Sequence, residues 1–350
     1  MPNGILIVDK PAGWTSQDVV SKLRGVFHEK RVGHGGTLDP MATGVLPIFL
    51  GRATRAVPYF EHADKVYEAV LRLGLVTDTQ DITGRTLEEH PVDITNEQLE
   101  AVLASFRGEI LQIPPMYSAI KVNGQKLYAL ARKGKEIERE PRPVTIYELE
   151  ASGILRDSEE FRHQGTGERR REARATTSVR TGLAMTESGA GSAVGGGALD
   201  APRSDEASGI RHQALGDAVN CQLRIHCSKG TYVRTLCHDI GAALGCGGCM
   251  AALRRTRAGR YGIEQAHSLE EILATPDPER LLLPVDSLFD DRPALTVNAS
   301  AERKLRNGAV VGTLNAVNGE YRVYGPAGDF LLLGELQNGE LRTVRSFFEA

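Results

Sequence analysis

The sequence predicts an α+β fold built on a mixed, mostly antiparallel sheet with flanking helices. Some segments repeat their apolar residues every second position and others at helical spacing, as half-buried strands and amphipathic helices do. The two kinds of segment also alternate without a regular strand–helix repeat, which disfavours a doubly wound parallel sheet.

The elements follow in chain order. GILIVDKPAG is a short apolar run that ends in Asp-Lys-Pro-Ala-Gly, a strand leaving into a turn. A helix is predicted from Ser16, with Val19, Val20, Leu23, Val26 and Phe27 on one face. KVYEAVLRLGL, residues 65–75, alternates like a strand. A second helix begins after Thr95, where Gln98 completes a capping box and Leu99, Val102, Leu103 and Phe106 form the apolar stripe. CQLRIHC alternates cleanly, with Cys221, Leu223, Ile225 and Cys227 on one side, and TYVRTLCHDIGAAL then reads as a helix. Residues 156–218 turn to Gly, Ser, Ala, Thr, Arg and Glu, with Phe161 as their one aromatic residue. Such a stretch buries too little apolar area to offset its chain entropy, so disorder is expected there. The expected layout is one domain over residues 1–290, interrupted by this insert, and a small β-rich appendage over 293–350 with the runs YRVYG and FLLLGEL.

Bulk composition excludes little. A chain of 350 residues with 41% hydrophobic content supports a packed core, and its net charge of −3 gives no global basic signature for nucleic acid. Local basic patches suffice for RNA, however. No apolar run approaches a membrane span, and the opening MPNGILIVDKPAG lacks the pattern of an export signal. With five cysteines, an odd number, reduced thiols in the cytoplasm are expected. Cys246 and Cys249 form a C-x-x-C without a second matched pair, so no metal site is expected.

Two stretches suggest chemistry. MAALRRTRAGR carries Arg254, Arg255, Arg257 and Arg260 with no acid among them, a set suited to phosphate; the bland alternative is a solvated helix end or loop. GHGGTLDPMATG, residues 33–44, holds a single carboxylate, Asp39, among glycines that permit close approach of backbone and ligand. A carboxylate is a reasonable agent at a sugar carbon, and an arginine partner would lower its pKa. Asp-Pro turn chemistry alone would equally account for it.

The segments together resemble the TruB family of tRNA pseudouridine synthases. The resemblance rests on DKPAGWTSQDVV, GHGGTLDPMATGVLPIFLGRATR, DKVYEAVLRLGLVTDTQD, PPMYSAIKVNGQKLYALARKGKEIEREPRPVTIYELE and CSKGTYVRTLCHDIGAALGCGGCMAALRRTRAG, in that order. It implies a sheet of the pseudouridine synthase type with a PUA-like C-terminal domain, and isomerisation of uridine-55 in the TΨC loop of tRNA. It implies no cofactor or metal, tRNA as partner, no membrane, no obligate protein partner and a monomer. By the same resemblance Asp39 is catalytic, Tyr67 stacks on the extruded uracil and is a candidate proton acceptor, and Arg234 pairs with the aspartate. Tyr232 supports the pocket, His34 enters the RNA loop, Lys10 and Pro11 form a turn beside the site, and Leu253 packs on the base. Arg254, Arg255 and Arg257 become expected RNA contacts. Two alternatives remain: a guide-RNA-dependent synthase subunit of the dyskerin type, and a non-catalytic tRNA-binding or folding factor. The long PPMYSAIKVNG segment favours the stand-alone enzyme over the first, and retention of Asp39, Tyr67 and Arg234 weighs against the second. The insert departs from the family pattern.

Overall fold

Thr15 opens the first helix through a capping box: its hydroxyl accepts from the Asp18 amide, and the Asp18 carboxylate accepts from the Thr15 amide. The helix, α1 (Ser16–Phe27), follows strand β1 (Gly4–Lys10) and buries Val19, Val20, Leu23 and Phe27, as the periodicity predicts; Val26 is half-buried. The computed structural model describes residues 2–156 and 219–348 except 119, 123, 132, 133, 136, 313 and 314. All but the first residue of the insert expected to be disordered lies outside the described residues. Contacts divide the chain into residues 1–154 with 220–350, and a second unit of residues 155–219, of which only Leu155, Arg156 and Val219 are described, as strand ends.

After α1 come β2 (Val32–His34), β3 (Thr43–Leu50), β4 (Lys65–Leu73), helix α2 (Asn96–Ser105), β5 (Gly108–Gln112), β6 (Arg142–Arg156), β7 (Val219–Cys227), helix α3 (Val233–Ala243) and β8 (Gly248–Ala258). Thr95 and Gln98 form the predicted capping box of α2. The main sheet has the order β1-β3-β8-β4-β7-β6-β5, with His267–Ser268 beside β1 and β2 beside β3. β1 and β3 are antiparallel, as are β8 and β4, whereas β3 and β8 run parallel. The sheet is therefore mixed, and the α+β class holds. That parallel contact joins Arg254 to Thr43 and Arg255 to Gly44, and it sets the Asp39 loop beside the middle of β8.

The C-terminal sheet contains β9 (Ala294–Thr296), β10 (Gly319–Tyr324), β11 (Phe330–Gln337) and β12 (Glu340–Ser346) in sequential order, with helix α4 (Ala299–Arg306) between its first two strands. Leu333 and Phe347 share a core with Ile5, Val45, Phe49 and Phe289. Among the described residues no helix is long and apolar enough to cross a membrane.

Candidate active site

The Asp39 loop, between β2 and β3, is clamped on both sides of its carboxylate. Before it, the Ser16 hydroxyl accepts from the Leu38 amide at 2.9 Å. After it, the Pro40 carbonyl accepts from the Gly13 amide at 2.8 Å and from Lys10 Nζ at 3.2 Å. Lys10 also donates to the carbonyls of Pro11 and Trp14, at 2.8 and 2.7 Å. Its ammonium is fully buried, and burial pulls its pKa down to about 8. Three carbonyl partners account for its three donors, so Lys10 ties the DKPAGW turn to the TLDP turn.

Arg234 enters from the first turn of α3. Its Nε lies 2.9 Å from Asp39 Oδ2 and its Nη2 lies 3.4 Å from Oδ1, a two-pronged pairing across 195 residues of sequence. Nη2 also donates to the Tyr117 carbonyl at 2.9 Å, and Nη1 donates to the Thr79 carbonyl at 3.3 Å. On its far side Nη1 lies 3.5 Å from the Asp81 carboxylate, itself buried and accepting from Thr79 and Thr83. A cation near a helix N-terminus opposes the helix dipole; carboxylates on two sides offset this.

Burial raises the Asp39 pKa above its ordinary 3.8, and the Asp81 charge adds to the rise. Arg234 and Lys10 oppose it without overcoming it. The arginine thus acts in the sense the sequence suggests, but the net direction is upward because desolvation is the larger effect. The carboxylate is nevertheless 36% exposed at its side chain, on the side open to a cavity of about 310 Å³.

That cavity brings together Asp39, Tyr67, Arg234, Tyr232 and Leu253. Tyr67 is buried in β4, and burial raises its phenol pKa, so it presents a neutral ring and hydroxyl. The Tyr232 backbone is fixed by Gln112, whose amide accepts from its N–H at 2.8 Å and donates to its carbonyl at 3.1 Å. His34 ends β2 and does not line the cavity; among the described residues its buried Nδ1 has no hydrogen-bond partner.

Arg254, Arg255 and Arg257 lie on strand β8, not in a helix end or loop, whereas Arg260 lies in the turn after it. Successive side chains on β8 point to opposite faces of the sheet, so the run is divided. Arg255 is buried and lines the cavity, with Nε donating to the Val45 carbonyl at 2.7 Å. Arg254 turns the other way and pairs with Asp9 at 2.8 and 3.2 Å. Arg257 is exposed beside His226, with Nη2 3.3 Å from Nε2.

Sequence reasoning did not single out Asp81, Lys65, Tyr117 or Gln112. The first three lie inside the quoted segments VTDTQD, DKVYEA and PPMYSA, but nothing in their spacing directs them to one cavity. The five cysteines are buried and unpaired, and burial raises the thiols, Cys221 and Cys227 to about 11. Among the described residues no three His, Cys, Asp or Glu side chains converge as a metal-binding group.

Two family models match the chain: "TruB family pseudouridylate synthase (N terminal domain)" over residues 24–166, and "tRNA pseudouridylate synthase B C-terminal domain" over residues 234–290. A tRNA pseudouridine synthase B from Azoarcus sp. (strain BH72) is 38% identical over 98% of this chain and 94% of its own length. Its counterpart from Escherichia coli (strain K12) is 36% identical over 96% of this chain and 92% of its own length. In fold, the chain is similar to one in an H/ACA RNP bound to a substrate RNA containing 2′-deoxyuridine, with a TM-score of 0.59 at 20% identity over 99% of this chain and 86% of that one. A chain in a Cbf5-Nop10-Gar1 complex gives 0.59 at 22% identity, over 99% and 85%. Near-complete coverage at this identity, with the two family matches in order, shows that the chain belongs to the TruB family of pseudouridylate synthases.

Proposed function

We propose that this enzyme isomerises uridine-55 in the TΨC loop of tRNA to pseudouridine, with Asp39 as the reacting carboxylate. The observation that carries this reading is the ion pair between Asp39 and Arg234 on the wall of a cavity that also holds Tyr67 and Leu253. The cavity falls within the usual size range of ligand pockets. A uracil flipped out of an RNA loop would lie between the Tyr67 ring and Leu253, with its ribose toward Asp39. Arg234 would hold the carboxylate oriented while the base is detached, turned and rejoined through carbon. The tRNA substrate carries over from the names of the curated relatives. Lys229, exposed and lining the cavity, and Arg257, exposed beside His226, would contact backbone phosphates.

The test is tritium release from a tRNA transcript containing [5-³H]uridine, using purified protein alone. Wild type should release tritium, with the product mapped to position 55, and Asp39→Asn should reduce the single-turnover rate at least ~10³-fold. Wild-type binding of tRNA without release would point to a folding factor. Release only after addition of a guide RNA would point to a subunit of a larger particle.

A further inference from the structure

Lys65 and Arg255 are a second charged feature of the cavity, separate from the Asp39–Arg234 pair. Lys65 is 9% exposed and Arg255 is 1% exposed, and both line the same cavity as Asp39 and Tyr67. They come from neighbouring strands, with Arg255 opposite Tyr67 and Lys65 opposite Ala258. A Cβ added at Gly36 would stand 3.5 Å from Arg255 Nη1 and 4.0 Å from Lys65 Cε. Both cations therefore lie beneath one residue of the Asp39 loop.

Their partners are carbonyl oxygens. Arg255 donates to Val45, Thr37 and Gly36, and Lys65 donates to Ala63. Among the described residues neither forms an ion pair with a carboxylate. Asp64, next to Lys65 in sequence, is directed to Tyr147 and His226. Lys229 adds a further positive charge at the rim. Two neighbouring desolvated cations with no carboxylate in ion-pair contact are costly: burial followed by Arg255 pulls the Lys65 pKa down to about 8, and the Asp64 charge opposes this without overcoming it. An electron-rich group entering the cavity would relieve that cost.

We propose that Lys65, backed by Arg255, is a further catalytic residue, whose ammonium takes up the negative charge that uracil acquires when its bond to ribose breaks. This rests on the pseudouridine synthase reading of the cavity. When C1′–N1 breaks, the bonding pair stays with the ring and is shared by N1, O2 and O4. By either route open to Asp39, bonding to C1′ or adding to the ring, negative charge collects on the base. C5 then returns a pair to C1′ and gives up its proton while N1 takes one, so the overall change is an isomerisation. A fixed cation in a desolvated cavity favours the charge as it develops and costs no reorganisation at that moment.

The other anion available is a phosphate of the same nucleotide. Its charge is present before reaction, so losing a phosphate contact weakens binding, whereas losing a contact to the developing charge slows the chemical step. The experiment compares full-length wild type, Lys65→Met and Lys65→Arg by filter binding to a tRNA transcript, single-turnover tritium release at saturating enzyme, and thermal melting by circular dichroism. The expected result for Lys65→Met is a single-turnover rate reduced ~10²-fold, with Kd and melting temperature close to wild type. Lys65→Arg should recover most of the rate. A raised Kd with an unchanged saturating rate would overturn the proposal in favour of a phosphate contact. An unchanged rate, an equal loss in Lys65→Arg, or a loss that tracks unfolding would also overturn it. Inactive wild type that still binds tRNA would instead fail the synthase reading itself.

Discussion

Asp39 combines a raised pKa with a role that needs the anion, and this fixes the sign of its pH dependence. The carboxylate is lost as pH falls, so the single-turnover rate should decline on the acid side with a midpoint above the ordinary 3.8. A midpoint at or below that value would show that Arg234 outweighs burial. The same shift bears on stability. The folded state holds this proton more tightly than the unfolded state, so ionising Asp39 costs stability as pH rises from 3.8 through the folded value. At neutral pH Asp39→Asn should therefore melt at or above the wild-type temperature while its activity is lost. Arg234 remains anchored in that variant by Asp81 and the carbonyls of Thr79 and Tyr117.

At the scale of elements, the site depends on two joints whose own residues, Lys10 and Gly44, supply no reacting group. Lys10, at the end of β1, holds three carbonyls of two turns with one ammonium. Lys10→Met should leave those carbonyls without this donor and cost about 2–4 kcal/mol, measured by denaturant unfolding. It should also lower the rate, because the Asp39 loop loses its tie. The second joint is where β3 meets β8. Gly44 has φ +100°, and a Cβ there would stand 2.2 Å from the Arg255 carbonyl oxygen. Gly44→Ala should destabilise the protein by about 3 kcal/mol through backbone strain and overlap. A substitution that leaves the melting temperature unchanged would show that the two strands separate easily. The division of the arginine run also belongs to this scale, since strand alternation turns Arg255 inward and Arg254 outward.

For the molecule as a whole, the C-terminal sheet contributes Leu333 and Phe347 to a core shared with β1 and β3. Arg55, which follows β3, donates to the Ser346 carbonyl at 3.0 Å and to its hydroxyl at 2.7 Å. Residues 2–154 and 220–348 should therefore unfold in one cooperative calorimetric transition, and two resolved transitions would show that the sheet is independent. The sequence by itself determined the α+β class, the Thr95–Gln98 capping box, β1, β4, β7, α1, α2 and α3, because each leaves a signal within its own few residues: an apolar run, a period of two or about 3.6, or a capping pair. Resemblance picked out Asp39, Tyr67 and Arg234 and implied the Asp39–Arg234 pairing, but not what holds the pair in place. Only the tertiary structure decided that Arg234 lies between Asp39 and Asp81, that Lys10 serves the Asp39 loop, and that Lys65 and Arg255 share the cavity. The reason is physical: those contacts join segments up to 195 residues apart, and strand order and register fix them, neither of which leaves a periodic trace in the chain.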